Sequence, residues 1–112
     1  MSEKDLLQSF ITELRRGSLT LAVLGLLKKP HYGYLLLQGM QDKGITIEAN
    51  TLYPLLRRLE SQGLLLSQWD TSESRPRKYY LISDYGLIIY HELLKEFDRM
   101  QVSINEINSE VN

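Results

Sequence analysis

Hydrophobic residues recur at helical spacing through the first part of the chain and predict three helices in close succession. In the first, Leu6, Phe10 and Leu14 share one face, and RRG (15–17) supplies the cations and the glycine that are typical of a helix C-terminus. The second, SLTLAVLGLLKK, is apolar on nearly every side, as expected for a helix in the middle of a core. The third, YGYLLLQGMQDK, is followed by a glycine stop. We expect these helices over residues 3–15, 18–29 and 32–43.

A fourth helix is predicted from the stretch ANTLYPLLRRLESQGLL (49–65). Each helical residue advances by about 100°, which places Leu52, Leu55, Leu56 and Leu59 on one face. The rest of its surface is polar and carries two neighbouring arginines; it includes Asn50, Thr51, Tyr53, Pro54, Arg57 and Arg58. We expect this helix over residues 50–62. A proline near its start is tolerated, because first-turn amides lack partners within a helix.

Two short segments of strand composition follow and predict a β-hairpin. LLLSQWD (64–70) and RKYYLIS (77–83) are rich in leucine and aromatic residues, and they enclose the turn-forming sequence TSESRP. Ser83 or Asp84 then caps a last helix that reaches to about residue 107. The earlier segment ITIEA (45–49) alternates weakly, and we interpret it as either a short strand or a linker.

The last helix carries an apolar seam in which residues alternate at spacings of three and four, as in the packing of two long helices. The seam comprises Tyr90, Leu93, Phe97, Met100, Ile104 and Ile107. It is longer than a body of this size can cover, so we expect it to meet a second copy of the chain. The first helix would pack alongside through its apolar face. The alternative is one amphipathic face that packs against its own domain.

The order helix–helix–helix–helix–hairpin–helix is that of a winged helix-turn-helix with one added helix at each end. We therefore predict a mainly α fold with a small β-hairpin. Residues 1–83 would form the winged helix-turn-helix domain with its N-terminal helix, and residues 84–112 would form a C-terminal dimerisation helix.

The formal net charge of −1 hides an uneven distribution. Residues 15–80 carry ten lysines and arginines against five acidic residues, whereas the segments on either side are acidic. The positive part contains the fourth helix and the hairpin. A polyanionic partner is therefore compatible with a chain that is almost neutral as a whole.

The sequence offers little for catalysis or for metal binding. It has no cysteine, which excludes disulfides and thiolate metal sites, and its two histidines, His31 and His91, belong to separate elements. Phosphate-loop, metalloprotease and nucleophile-elbow motifs are absent. We expect no enzyme activity, no metal and no other cofactor. The mixed charges of the N-terminus and the short apolar runs favour a cytoplasmic protein without a membrane anchor.

The two basic regions together favour binding to double-stranded DNA. Small polar residues at the start of the fourth helix allow close approach to a major groove, Thr51 and the helix N-terminus can bind phosphate, and Arg57 or Arg58 can contact phosphate or guanine. The hairpin tip, which can contact the DNA backbone or the minor groove, supplies Arg75, Arg77 and Lys78. The competing hypothesis is a protein-interaction module that places this basic face on an acidic partner.

The segments LAVLGLL, HYGY, TLYPLLRRLESQGLL and RPRKYYLIS closely resemble the PadR family of transcriptional regulators over roughly residues 15–90. The resemblance implies a dimeric winged-helix DNA-binding protein, usually a repressor, without a large effector-binding domain. It implies that Tyr34 lies on the helix that crosses the DNA backbone. It also implies operator binding through Thr51, Tyr53, Arg57 or Arg58 of the helix and Arg75, Arg77 and Lys78 of the hairpin.

A homodimer of this kind would present two recognition helices (residues 50–62 of each copy) roughly 34 Å apart, each beside a wing (residues 70–78), which suits a palindromic operator. A ligand that changed the angle between the long helices would break this spacing. Tyr90, Phe97 and Met100 are therefore candidates to line an inter-subunit cavity for a small lipophilic or aromatic effector. Plain interface packing is the alternative.

Overall fold

The computed structural model describes residues 2–111, and this range contains five helices and a three-stranded sheet. In chain order the elements are α1 (Glu3–Arg16), α2 (Leu19–Leu26), β1 (His31–Tyr32), α3 (Gly33–Asp42), α4 (Ala49–Ser61), β2 (Leu65–Asp70), β3 (Arg77–Ile82) and α5 (Asp84–Val111). The predicted mainly α class with a small β-hairpin is confirmed. Positions 1 and 112, the outer ends of the two predicted domain ranges, lie outside the described residues.

One hydrophobic core joins α2, α3, α4 and the hairpin. Its most deeply buried side chains are Val23, Leu24, Leu27, Leu36, Met40, Leu52, Leu56, Leu59 and Leu65. Complete burial of a leucine side chain contributes about 1.5–3 kcal/mol, so the apolar faces of these helices supply much of the driving force for folding. Helix α1 contributes no buried residue to this core.

The sheet contains one strand that the sequence pattern did not predict. β3 is central, with β2 antiparallel on one side and β1 antiparallel on the other. β1 consists of His31 and Tyr32, which pair with Tyr80 and Tyr79. Two residues show no alternation that could be recognised in a sequence. The short strand joins the N-terminus of α3 directly to the hairpin.

The boundaries of α4 differ from the prediction in one respect that matters for Pro54. Residues 45–48 form neither helix nor strand, so the linker interpretation is correct, and α4 begins at Ala49. The tolerance of a proline that we expected from the sequence required it to lie in the first turn of the helix. Because α4 begins at Ala49, Pro54 lies in the second turn instead. Its missing amide leaves the carbonyl of Asn50 without the usual helical partner. Gly63, with φ of 81°, follows the helix in the left-handed conformation that glycine adopts readily.

Helix α5 has 28 residues and so extends for about 42 Å. Ser83 caps it: the Ser83 hydroxyl accepts a hydrogen bond from the Gly86 amide at 2.9 Å and donates one to the Gly63 carbonyl at 2.6 Å. Only the first turns pack against the domain, and residues 95–110 are all exposed. Among the described residues, the helices lack the combination of length and apolarity that crossing a membrane requires.

Candidate nucleic-acid interface

Helix α4 presents the two faces that its periodicity predicts. Leu52, Leu56 and Leu59 are buried in the core. Of the residues predicted for the opposite, polar face, Tyr53 is half-buried and the others are exposed; the exposed ones are Asn50, Thr51, Pro54, Arg57 and Arg58. Both guanidinium groups therefore project into solvent, where a polyanion could reach them.

Tyr53 anchors the N-terminal half of α4 to α3. Its ring lies so close to Gly33 that a Cβ atom added to this glycine would stand 2.5 Å from Cε1 and 2.9 Å from the hydroxyl oxygen of Tyr53. Gly33 is buried and is the first residue of α3. A side chain at position 33 would therefore push the ring outward, so Tyr53 is fixed at the junction of the two helices.

A groove of about 520 Å³ lies between these helices and the hairpin. It is lined by aromatic side chains of α3, α4 and the hairpin and by cations of the hairpin alone. They include Tyr34, Tyr53, Trp69, Arg75, Arg77 and Lys78, whereas Arg57 and Arg58 of α4 do not line the groove. Trp69 is 60% exposed. Flat rings beside cations form a surface suited to phosphates, sugars and bases.

Arg77 is held over the first turn of α3. Its guanidinium donates a hydrogen bond of 3.1 Å to the Tyr34 hydroxyl and lies 5.4 Å from the centre of that ring. The Tyr34 ring stacks on the Tyr32 ring, with centroids 6.0 Å apart. Glu73 also approaches the guanidinium, at 3.8 Å. The arrangement leaves the Tyr34 hydroxyl hydrogen free to be donated to a ligand in the groove.

Asp70 connects the end of β2 to β1. Its carboxylate accepts hydrogen bonds from the hydroxyl and the amide of Ser72, at 2.6 and 3.0 Å, and from the hydroxyl of Tyr32. The bonds from Ser72 and Tyr32 lower the pKa of Asp70 to about 2. The same bond to Asp70 raises the pKa of Tyr32 above its ordinary value. Asp70 is thus an anion at neutral pH and holds the turn end of β2 against β1.

Lys78 has different surroundings from the exposed Arg75 at the hairpin tip. Its ammonium group lies 3.2 Å from Oε1 of Glu60 and 5.3 Å from the centre of the Tyr80 ring. The Ser67 hydroxyl donates to the other carboxylate oxygen of Glu60. Lys78 therefore faces α4 from within the sheet.

The electrostatics of this contact favour the charged form of both partners. Hydrogen bonds from Ser67 and Lys78 lower the pKa of Glu60, against a smaller opposing effect of burial. Burial by itself lowers the pKa of Lys78, but the contacts with Glu60 and Tyr80 together raise it above the ordinary value. Both groups are consequently ionised at neutral pH.

Sequence reasoning missed Glu60, Ser67 and Asp70 as contributors to this interface. They are ordinary polar residues, and only the packing of the hairpin on α4 and β1 gives them partners. Ser67 and Trp69 are two residues apart on a predicted strand, and side chains at that spacing point to the same side of a sheet. The sequence could therefore have placed these two residues on one face. Among the described residues there is no group of three His, Cys, Asp or Glu side chains that could hold a metal ion.

The predicted apolar seam is largely exposed in the single chain. In α1, Leu6, Phe10 and Leu14 are 50–78% exposed, and in α5 Leu93, Phe97, Met100, Ile104 and Ile107 are 37–61% exposed. Tyr90 differs, because its ring packs against Gly25 of its own domain, with the Lys28 ammonium 5.1 Å from the ring centre. A groove of about 420 Å³ between α2 and α5 is lined by Tyr90 and Phe97 but not by Met100, which lies one turn further along.

Comparison with known proteins identifies a family. Residues 21–92 match the model of the transcriptional regulator PadR-like family. The chain is 31% identical over 99 residues to an uncharacterised protein of Lysinibacillus sphaericus, covering 84% of this chain and 91% of that protein.

Solved structures are similar in fold as well as in sequence. A PadR family transcriptional regulator from Eggerthella lenta is 48% identical, with a TM-score of 0.90 and coverage of 93% of both chains. Bacillus subtilis PadR in complex with operator DNA is 25% identical, with a TM-score of 0.63. That match covers 68% of this chain and 46% of the longer Bacillus protein.

Proposed function

We propose that this chain, which belongs to the PadR-like family of transcriptional regulators, binds a palindromic operator as a homodimer and represses transcription. The observation that carries the proposal is the groove in which Tyr53 of α4 meets Arg75 and Arg77 of the hairpin. A winged helix-turn-helix uses these two elements on DNA, one in the major groove and the other along the backbone.

The roles follow from position and chemistry. Asn50 and Thr51 are small and exposed at the N-terminal end of α4, where the helix dipole favours a phosphate. Arg57 and Arg58 follow on the exposed face, and Arg57, at the centre of the polar arc, contacts a guanine edge. The phosphate backbone is bound by Tyr34, Tyr53, Arg75 and Arg77.

The homodimer is supported by the apolar surface that α1 and α5 leave exposed. Side chains such as Phe10, Phe97 and Ile107 are 39–61% exposed on these two helices. On each helix these side chains recur along one face, a pattern typical of an interface. Pairing of two α5 helices would cover it and would fix the spacing of two recognition helices.

Release by a small lipophilic or aromatic effector is part of the same proposal. The groove between α2 and α5 has apolar lining at Leu21, Leu26, Ile45, Tyr90 and Phe97, and its lining also includes Ser18 and Lys43. A ligand there would contact α5 where it leaves the DNA-binding domain. Binding would alter the angle of α5 and thereby the spacing of the two recognition helices.

Fluorescence anisotropy tests the DNA-binding proposal directly. Labelled duplexes carrying the region upstream of the protein's own gene, and a scrambled version, are titrated at several salt concentrations. We expect tight, salt-sensitive binding that prefers the upstream duplex. Arg75→Ala should weaken binding to both duplexes alike, and it should reduce the slope of log affinity against log salt concentration by about one. Lys95→Ala on α5 should change neither the affinity nor the slope. Absence of binding at low salt would overturn the proposal in favour of an acidic protein partner.

A further inference from the structure

Glu60 connects the recognition helix to both strands of the hairpin. It occupies the penultimate position of α4, and its two carboxylate oxygens have different partners. Oε1 lies 3.2 Å from Nζ of Lys78 on β3, and the other oxygen accepts the hydroxyl hydrogen of Ser67 on β2. We call these three residues the Glu60 bridge. One carboxylate thus joins three elements of secondary structure.

The surroundings of the bridge distinguish it from a surface ion pair. The side chains of Lys78 and Glu60 are 29% and 32% exposed, compared with 42% and 68% for Arg77 and Glu73 at the hairpin tip. A more buried pair is less screened by solvent and salt. The Tyr80 ring beneath the ammonium group adds a further contact that keeps Lys78 in place.

We propose that Glu60 and Lys78 are positioning residues that fix the hairpin relative to the recognition helix and do not themselves contact DNA. The inference rests on the proposed function, and it replaces the expectation that Lys78 binds the DNA backbone. Contact between Tyr53 and Gly33 fixes the other end of α4. With both ends fixed, Arg75 at the tip and Arg57 on the helix have a defined separation and can engage one duplex together.

The two roles for Lys78 predict opposite effects of neutralising Glu60. If Lys78 were a phosphate ligand, Glu60 would compete with DNA for its ammonium group, and Glu60→Gln would strengthen binding. If the bridge positions the hairpin, Glu60→Gln loosens it and weakens binding, even though the protein gains positive charge. The sign of the change therefore separates the hypotheses.

The experiment measures DNA affinity against salt for Glu60→Gln, Lys78→Met, the double variant and a Glu73→Gln control. Glu73→Gln makes the same chemical change on a more exposed carboxylate of the hairpin. We expect each bridge variant to weaken binding by roughly three- to tenfold, with an unchanged salt slope. The double variant should be no weaker than either single one, since both lose the same contact. Glu73→Gln should bind as the wild type does or slightly more tightly.

Amide hydrogen exchange without DNA supplies a second readout. Exchange in β2, β3 and the last turn of α4 should be faster in Glu60→Gln and Lys78→Met than in the wild type, and unchanged in Glu73→Gln. Tighter binding by Glu60→Gln, a salt slope reduced by about one in Lys78→Met, or unchanged exchange would each overturn the positioning role. Failure of the wild-type protein to bind any duplex would instead overturn the proposed function. The hydrogen-exchange data would still test whether the Glu60 bridge positions the hairpin.

Discussion

At the scale of single residues, the two adjacent arginines of α4 are not equivalent. Arg57 lies at the centre of the polar arc, opposite the buried Leu52 and Leu59, and Arg58 lies at its flank. We expect Arg57→Ala to remove most of the preference for operator over scrambled duplex, at a cost of about 1–3 kcal/mol on the operator. Competition anisotropy with both duplexes measures this preference.

Arg99→Ala is a suitable control for the Arg57 experiment. Arg99 is an exposed arginine on α5, 2.7 Å from Glu96, and it belongs to neither basic region. Its removal changes the net charge equally but should leave the preference intact. If Arg57→Ala weakened binding to both duplexes equally, Arg57 would contact a phosphate and no base.

The exposure of individual side chains was more predictable than their partners. Helical periodicity alone places Asn50, Arg57 and Arg58 outside, because it fixes the direction of each side chain relative to the buried leucines. The partners of Arg77 and Lys78 depend on how the hairpin packs on α3 and α4. Sequence spacing contains no measure of that packing, so three cations that look alike in RPRKYY differ in the folded protein.

At the scale of elements, the junction between the hairpin and α5 leaves no room for a side chain at Gly86. A Cβ atom at Gly86 would overlap the backbone carbonyl oxygen of Leu64 and would stand 2.8 Å from Cγ1 of Ile82. That carbonyl cannot move away easily, because it accepts the amide hydrogen of Ser83 at 3.0 Å. We expect Gly86→Ala to reduce the free energy of unfolding by about 1–3 kcal/mol or more, measured by urea denaturation.

Gly17 offers the matched substitution. A Cβ atom there meets no other atom within 4 Å, and the residue has φ of −67°, which alanine adopts without strain. Gly17→Ala should therefore be neutral or stabilise the protein by up to about 1 kcal/mol. If both variants unfolded at the same urea concentration, the close packing around Gly86 would not limit which residue α5 can carry at this position.

The turn end of the hairpin should respond to acid through Asp70. Its pKa is about 2 in the folded protein against an ordinary value of 3.8, so its contribution to stability is complete only above about pH 5. Protonation removes that contribution as the pH falls from about 5 towards 2. Thermal unfolding between pH 2 and 5 should show a shallower loss of stability for Asp70→Asn than for the wild type. Tyr32→Phe, which removes one of the hydrogen bonds, should lie between them; parallel profiles for all three would contradict this account.

Long elements with strong periodicity were predicted within a few residues, whereas the shortest was missed. The buried leucines of α4 and the apolar run of α2 identify helices because burial requires one face or all faces to be apolar. β1 exists because β3 offers it backbone partners at Tyr79 and Tyr80. Such a strand is a consequence of the tertiary structure, and the residues HY carry no pattern of their own.

At the scale of the whole molecule, α5 extends the protein well beyond its core. The radius of gyration is 16.7 Å, and the longest dimension is 59 Å; a compact domain of this length has a radius of about 13 Å. The excess is the exposed half of α5, where apolar residues continue without a core to cover them. We expect a second copy of the chain, which presents the same seam, to cover these residues.

The dimer is tested by placing a charge on that seam. Phe97→Glu should leave the core intact, because Phe97 is 39% exposed in the single chain, but burial of the new carboxylate between two α5 helices would be strongly unfavourable. We expect the variant to have half the wild-type mass by light scattering and to bind the operator at least tenfold more weakly, since each monomer then engages one half-site. Val102→Glu is the control: Val102 is 57% exposed on α5 but lies off the three–four spacing, so it should remain dimeric. A Phe97→Glu variant of unchanged mass would remove α5 as the dimerisation helix and leave the exposed face of α1 as the remaining surface for self-association.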